Sequence, residues 1–151
     1  MNTEEKISHE IQAIDYPLGT ISTINEKGTP ESASLYYIAD EHLNIYFVTR
    51  SESRKHKNIQ KNPAVAFVIT SIHPPKTIQL EGVAAEALDP QDEINYFDKL
   101  VAKATENTIM PPVSQLVTGE MVFMKISTTW ARFGNFEVFK EGDKFTETPL
   151  Q

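Results

Sequence analysis

Apolar residues recur along this chain at two different periods, which separate predicted helices from predicted strands. Ile7, Ile11 and Ile14 recur at helical spacing before Pro17, so residues 1–16 are predicted to hold an amphipathic N-terminal helix. Elsewhere, apolar residues alternate with polar ones or form short runs, which is typical of strands. The pattern therefore predicts a mainly β (α+β) chain with a few helices.

Six or seven segments have the pattern of strands. They occupy residues 19–38 as a pair and then 43–49, 64–70, 76–88 and 121–136, the last holding one strand or two. Gly28 can adopt the positive φ that suits the turn between the first two strands. Residues 64–70 read AVAFVIT, a nearly continuous apolar run that indicates a strand buried on both faces. Gly82 lies inside a strand pattern, which predicts a bulge or bend there.

Two further helices are predicted between these strands. The first is short and basic, is capped by Ser51 or Ser53, and ends at Asn62, because the residue before a proline is disfavoured in the helical conformation. The second spans residues 90–103, with acids in its first turn and a lysine at its end.

The remaining segments carry no clear element. Residues 104–120 are predicted to be a loop, and the polar residues 140–151 a flexible tail. Several antiparallel strands with short turns and peripheral helices favour a small closed barrel, which removes exposed sheet edges. The length predicts a single domain over residues 1–151.

Composition excludes several classes of function. The chain of 151 residues has no cysteine, so disulfides, thiolate metal sites and thiol nucleophiles are absent, and no His, Asp or Glu spacing predicts a metal site. The formal charge of −7 argues against a nucleic-acid partner, which requires a basic face. No run approaches the roughly 20 apolar residues that cross a bilayer. A cytoplasmic protein without a membrane partner is expected, because the N-terminal segment lacks the apolar stretch of a secretory signal.

The positive charge is concentrated in one place. Five of the 14 Lys and Arg residues lie between Arg50 and Lys61, against the single acid Glu52. Arg54 and Lys55 fall in the first turn of the predicted helix, where the dipole disfavours cations by roughly 0.3–1 kcal/mol each. A solvated, lysine-rich surface helix is one interpretation of this cluster.

A site for a phosphate is the other interpretation. A helix N-terminus offers unpaired N–H groups, and Arg54 and Lys55 add cations that suit a phosphate dianion. The hydroxyl groups at this junction belong to Thr49, Ser51 and Ser53. The sequence therefore predicts a small anionic ligand at this helix.

The stretch IYFVTRSESRKHKNIQKNPAVAFVI, followed by KTIQLEGVAAEAL, resembles the pyridoxamine 5′-phosphate oxidase-like FMN-binding split β-barrel family. The shared features are a strand ending in Thr, Ser-Arg-Lys at a helix start, Asn-Pro before a buried strand, and an apolar strand ending in Glu-Gly. The resemblance covers roughly residues 10–103 and continues more weakly to Phe133. It implies a six- to seven-stranded antiparallel split barrel with Greek-key topology, FMN as cofactor, and a homodimer with cofactor sites at the interface.

The resemblance also implies which residues contact the cofactor. Arg54 and Lys55 match the phosphate-binding pair. The other residues carried over by position are Val48 and Thr49 beside the phosphate and ribityl chain, Ser51 and Ser53 as supporting donors, Thr77 or Gln79 as a polar contact, and Ala33 and Ser34 under the ring. One interpretation of Trp130 is that it covers the flavin from a partner chain. For Trp130, a core position is the competing interpretation.

Two departures from the vitamin B6 oxidases argue against their activity. Those enzymes carry an Arg early on the second strand, where this chain has Ala33 or a neighbour, and an Arg-x-His motif near the C-terminus, where this chain has no His. The hypothesis is therefore an FMN-dependent oxidoreductase of unknown small-molecule substrate that transfers hydride at flavin N5, with NADH or NADPH as a candidate donor. The alternatives are the deazaflavin F420 as cofactor, a non-catalytic flavin, deazaflavin or haem carrier or stress-related protein, or a barrel without a ligand.

Overall fold

One antiparallel sheet of eight strands organises this computed structural model, which describes residues 1–106, 120–137 and 145–151. The strands are β1 Leu18–Ile24, β2 Pro30–Tyr36, β3 Ile38–Ala39, β4 Ile45–Arg50, β5 Ala64–Ser71, β6 Lys76–Glu86, β7 Met121–Asn135 and β8 Phe145–Pro149. The helices are α1 Thr3–Gln12, α2 Arg54–Lys61, α3 Pro90–Asp92 and α4 Asp98–Glu106, with a π-helical stretch Glu93–Phe97 before α4.

The strands pair in the order β2-β1-β5-β6-β7-β4-β3, and β8 pairs with β7 outside this path. The sheet curls into a half-barrel, which confirms the split barrel implied by the family resemblance and not the closed barrel favoured by the strand pattern alone. Period-two alternation places one set of apolar side chains on its inner face. Ile21, Phe67, Leu80 and Ala131 pair in register across four neighbouring strands, and each is at most 2% exposed.

Helix α2 begins and ends where its sequence predicts. The Ser53 side chain caps it by accepting a hydrogen bond from the His56 N–H at 3.2 Å, and Asn62 lies at its C-terminal end. Ile59 is 4% exposed and joins the core, so the helix is fixed against the barrel by its apolar side. Its first turn is thereby held at the end of β4.

The outer face of the sheet has a second apolar cluster near β4. Tyr46 is 1% exposed and packs with Leu100 of α4. The Tyr96 ring of the π-helical stretch stacks on the Tyr46 ring, with centroids 4.3 Å apart. The segment from α3 to α4 therefore covers this part of the outer face.

A β-bulge interrupts the pairing of β6 with β7, at the glycine where the sequence predicts one. Glu81 pairs with Trp130 but Gly82 pairs with Thr128, so Thr129 is the extra residue. A Cβ at Gly82 would lie 2.4 Å from the Ser127 carbonyl oxygen, so a glycine is required by close packing.

Several predicted boundaries differ from the structure. The prediction of a frayed tail over 140–151 is wrong for 145–149, which form β8 and pair with β7. The prediction of a loop from residue 104 is wrong for residues 104–106, because α4 extends to Glu106. Residues 107–119 and 138–144 lie outside the described residues. The third strand begins at Ile45 instead of Leu43, because Leu43 adopts a φ of 65° in a turn. With β3 and β8, the count is eight strands instead of six or seven.

Candidate functional site

Hydroxyl groups and an ammonium group meet where β4 enters α2. The Thr49 side chain is buried, and its Oγ1 lies 2.9 Å from Ser53 Oγ. The Lys55 Nζ atom donates a hydrogen bond to Thr49 Oγ1 at 3.3 Å. Thr49, Ser53 and Lys55, all predicted from the sequence, are therefore brought together at the N-terminus of the helix.

Lys55 differs from an ordinary surface lysine in its burial and in its partners. Its side chain is half-buried, and burial lowers the pKa of its ammonium group from the ordinary value. No carboxylate forms an ion pair with it among the residues that the structure describes. The charged form of a half-buried ammonium group without an acidic partner is stabilised when an anion binds beside it, because the anion offsets the cost of desolvation.

An open cleft of about 300 Å³ lies beside this group, at the free edge of β2. We call it the edge cleft. Its walls are formed by Ile21, Thr23, Glu31, Ser32, Ala33, Arg54 and Lys55. The cleft therefore joins the phosphate-binding pair predicted from the sequence to Ala33 of the strand predicted to lie under the ring.

Glu31 is a residue of the edge cleft that sequence reasoning missed. Its carboxylate forms an ion pair with Arg54 and accepts a hydrogen bond from Asn58 Nδ2 at 2.7 Å and from Asn25 Nδ2 at 3.3 Å. Asn58 also donates to Thr23 Oγ1 at 3.0 Å. Period-two alternation from Ala33 places Glu31 on the same side of β2, but only the tertiary structure brings it to Arg54.

Two predicted residues near the helix contact other groups. The Val48 side chain packs in the outer-face cluster and pairs in register with Phe123, so only its backbone is left for a ligand on the other side. Ser51 Oγ donates to Glu52, and the Ser51 carbonyl accepts from His56 Nδ1 at 2.9 Å. Neither side chain lines the edge cleft.

The remaining predicted residues lie on the outer face of the sheet. Gln79 and Trp130 line a shallow groove of about 240 Å³. We call it the outer groove, and its other walls are Thr20, Ser22, Ala66, Phe67, Val68, Leu80 and Glu81. Trp130 is half-buried there and belongs to neither apolar cluster, so the interpretation of Trp130 as a core residue is wrong.

Thr77 and Ser34 also belong to the outer face. Thr77 pairs with Gly134 and lies outside the outer groove, which favours Gln79 as the polar contact of that strand. Ser34 is exposed and pairs with Thr20, which pairs onward with Val68. Ser34 therefore lies on the face opposite to that of Ala33.

The predicted site residues thus form two groups that do not meet within one chain. Arg54 and Lys55 line the edge cleft, and Thr49 and Ser53 are linked to it through the hydrogen bond of Lys55 to Thr49, whereas Gln79 and Trp130 line the outer groove. The two clefts share no lining residue. A ligand that contacts both groups needs a second surface to bring them together.

The described residues contain neither a candidate metal site nor a candidate membrane-spanning helix. No group of three or more His, Asp or Glu side chains could hold a metal ion there. No helix in the described part of the chain is long and apolar enough to span a membrane. The cytoplasmic location stays a prediction.

Comparison with known proteins identifies the family. The model of the family described as pyridoxamine 5′-phosphate oxidase matches residues 4–134 of this chain. The chain belongs to this family. A pyridoxine/pyridoxamine 5′-phosphate oxidase from Bacteroides thetaiotaomicron is 24% identical over 114 residues, which are 73% of this chain and 53% of that protein. The chain therefore spans about half the length of this curated relative.

Solved structures of family members and related proteins share the fold. General stress protein 26 from Bacillus anthracis has a TM-score of 0.67 at 20% identity, over 98% of this chain and 100% of that one. A pyridoxamine 5′-phosphate oxidase-related, FMN-binding protein from Nostoc punctiforme has a TM-score of 0.61 at 10% identity, over 97% and 95%. A structure titled F420 reductase has a TM-score of 0.61 at 21% identity, over 80% and 93%. At these identities the similarity supports the split-barrel fold alone.

Proposed function

We propose that this protein binds FMN, with the phosphate at the N-terminus of α2. One observation carries the proposal: Lys55 has a lowered pKa and no acidic partner among the described residues, and it stands beside two hydroxyls at a helix N-terminus. Anions bind at such a position because free N–H groups and the helix dipole favour negative charge.

The donor set fits a phosphate monoester. Thr49 and Ser53 offer hydroxyl groups, Lys55 offers an ammonium group, and Arg54 offers a guanidinium whose fork suits phosphate oxygens. Ser32 and Ala33 contribute small, uncharged side chains to the cleft, which permits a planar ring to approach β2 there. The residues of the edge cleft would hold the phosphate and its sugar-like chain.

We further propose that a homodimer completes each site. Gln79 and Trp130 line the outer groove, which faces away from the edge cleft. If the outer groove of a second copy packs against the edge cleft of the first, an amide and an indole reach the ligand that Lys55 holds. This arrangement accounts for the separation of the two groups of residues, because closed two-fold symmetry produces two equivalent sites.

As an enzyme, the protein would be an FMN-dependent oxidoreductase. The bound flavin supplies hydride chemistry at N5, and the chain supplies binding, orientation and charge. No protein nucleophile is required, which agrees with an edge cleft whose polar side chains are hydroxyls, two cations and one carboxylate. NADH and NADPH are the candidate electron donors for a small-molecule substrate, and the F420 reductase of the same fold makes deazaflavin the alternative cofactor.

A non-catalytic flavin carrier is the second candidate function. One observation favours it: Arg54 already holds the carboxylate of Glu31, so one of the two phosphate-binding cations is engaged before a ligand arrives. A carrier needs a ligand that exchanges, whereas an enzyme with a resident cofactor gains from a tight site.

The first experiment is a titration of the purified protein with FMN, followed by flavin fluorescence, together with the visible spectrum of the protein as isolated. Riboflavin serves as the matched ligand without phosphate. We expect saturable binding of FMN and much weaker binding of riboflavin. Equal affinities would show that the α2 site does not hold the phosphate. Reduction of bound FMN by NADH or NADPH, with substrate-dependent reoxidation, separates the enzyme from the carrier.

The shared site is tested by mixing two variants that each lack one half. Lys55→Met removes the edge-cleft cation, and Trp130→Ala removes the indole of the outer groove. If each site uses both halves from different chains, an equal mixture after subunit exchange regains about a quarter of the FMN sites. Mixing produces no gain if both halves act within one chain.

A further inference from the structure

Glu31 is a carboxylate inside a site that is otherwise built for an anion. It lines the edge cleft together with Arg54 and Lys55. It also lines a neighbouring cleft of about 280 Å³, whose cations are Arg54, Lys57, Lys61 and Lys27. A fixed negative charge in such a place opposes an anionic ligand, and its effect is strongest where water is partly excluded.

The position of Glu31 is fixed by its neighbours. Its side chain is 18% exposed, and Asn58, itself buried, joins the Glu31 carboxylate to Thr23 of β1. The Arg54 side chain is 83% exposed and reaches Glu31 from the first turn of α2. If this ion pair breaks, the exposed Arg54 side chain can therefore move away, whereas the Glu31 side chain is held in place by its other hydrogen bonds.

The two cations of the edge cleft are consequently unequal. Lys55 donates to a neutral hydroxyl, whereas Arg54 is paired with a carboxylate. A phosphate oxygen and the Glu31 carboxylate can each accept a charge-assisted hydrogen bond from the Arg54 guanidinium, so they compete for the same donors. The structure shows the Arg54 Nη2 atom on the Glu31 carboxylate. A phosphate that takes both terminal nitrogens of Arg54 in a bidentate contact needs this atom, so Arg54 must then leave Glu31.

We propose that Glu31 is an internal competitor for the phosphate, so that Arg54 exchanges the Glu31 carboxylate for a phosphate oxygen when the ligand binds. Glu31 thereby sets the affinity of the site and makes the flavin an exchangeable ligand. This inference rests on the proposed binding of FMN at α2.

The test is the variant Glu31→Gln, which removes the charge and keeps an oxygen that can accept from Asn58. We expect FMN to bind about threefold to tenfold more tightly and to dissociate more slowly. Riboflavin affinity should not change, because riboflavin has no phosphate. Glu26→Gln is the matched control, since Glu26 pairs with Lys61 in the neighbouring cleft and is absent from the edge cleft. Glu31→Ala provides a second uncharged variant should the glutamine disturb folding.

A double-mutant cycle with Arg54→Ala separates competition from positioning. If Arg54 must leave Glu31, Arg54→Ala costs more FMN affinity in the Glu31→Gln background than in the wild-type protein. If Glu31 instead positions Arg54, Glu31→Gln weakens FMN binding and the order reverses. Unchanged or weaker binding by Glu31→Gln, in a wild-type protein that binds FMN, overturns this inference alone. A wild-type protein that binds no FMN overturns the proposed function and this inference together.

Discussion

The N-termini of α1 and α2 solve the same electrostatic problem in opposite ways. In α1, the Asn2 side chain accepts from the Glu5 N–H at 2.8 Å, and the Glu5 carboxylate accepts from the Asn2 N–H at 2.8 Å. This capping box, with Glu4 also in the first turn, satisfies orphan donors and complements the helix dipole. The start of α1 is therefore stabilised by the side chains of its own cap and first turn.

The start of α2 has a cap but no compensating acid in its first turn. Ser53 accepts from the His56 N–H, and the next two residues are Arg54 and Lys55. Each cation is disfavoured by the dipole by roughly 0.3–1 kcal/mol. The side chains of the first turn neutralise this partial charge in α1 and leave it positive in α2. The difference supports the proposal that α2, unlike α1, receives an anion from outside.

The largest effect should come from Lys55→Met. The loss of a charge-assisted hydrogen bond is expected to weaken FMN binding by about 2 kcal/mol, or roughly thirtyfold. The ligand-free protein should be at least as stable as the wild type, because burial disfavours the Lys55 ammonium group. Flavin fluorescence titration and urea unfolding measure the two quantities.

Lys57→Met is the matched control for this variant. Lys57 lies on the same helix, is exposed, and is absent from the edge cleft. We expect a much smaller loss of FMN affinity than for Lys55→Met. Equal losses of FMN affinity would mean that α2 attracts the ligand only through its overall charge. The N-terminus of α2 would then not form a specific anion site, and the contrast with α1 would not hold.

Removal of the helix caps tests the comparison of α1 with α2 through an effect smaller than that of Lys55→Met. Asn2→Ala and Ser53→Ala should each lower the free energy of unfolding by about 1 kcal/mol, because each removes a side-chain acceptor at a helix N-terminus. Only Ser53→Ala should also weaken FMN binding, since Ser53 Oγ lies in the group around Thr49. Urea unfolding and FMN titration of both variants check this, and an effect of Asn2→Ala on FMN affinity would contradict it.

The smallest effect concerns pH. The pKa of Lys55 is lowered in the folded protein, and the protonated form is the one that binds phosphate, so FMN affinity should be full below that pKa and decline a few-fold as pH rises through it. The cost of keeping Lys55 charged is present below the folded pKa and is relieved as pH rises toward the unfolded value. The Lys55→Met variant should lack this part of the pH dependence. An identical decline in the variant would assign the effect to other groups.

Much of the fold could be predicted because it depends on local pattern. The strand segments, the start and end of α2, the turn at Gly28 and the bulge at Gly82 follow from periodicity, capping and glycine chemistry, which act within a few residues. The strand β8 was missed because its sequence, FTETP, carries little apolar signal and becomes a strand by pairing with β7. The composition of a short segment does not predict its pairing with a strand elsewhere in the chain.

For the candidate site, too, some features could be predicted from local sequence and others could not. The motif around Arg54 and Lys55 identifies one end of the edge cleft, since both residues follow the cap directly in sequence. The face on which Trp130 lies could not be predicted, because Thr128 and Trp130 would share a face in a regular strand. The bulge at Thr129 turns Thr128 inward, at 7% exposed, and leaves Trp130 in the outer groove.

The sequence by itself determined that a capped helix begins with two uncompensated cations, because caps and first-turn charges are set by adjacent residues. Only the tertiary structure decided that Arg54 meets Glu31, 23 residues earlier in the chain, and that Gln79 and Trp130 lie on the opposite face of the sheet. The reason is physical: charges interact through space, and strand pairing and bulges fix which distant residues share that space.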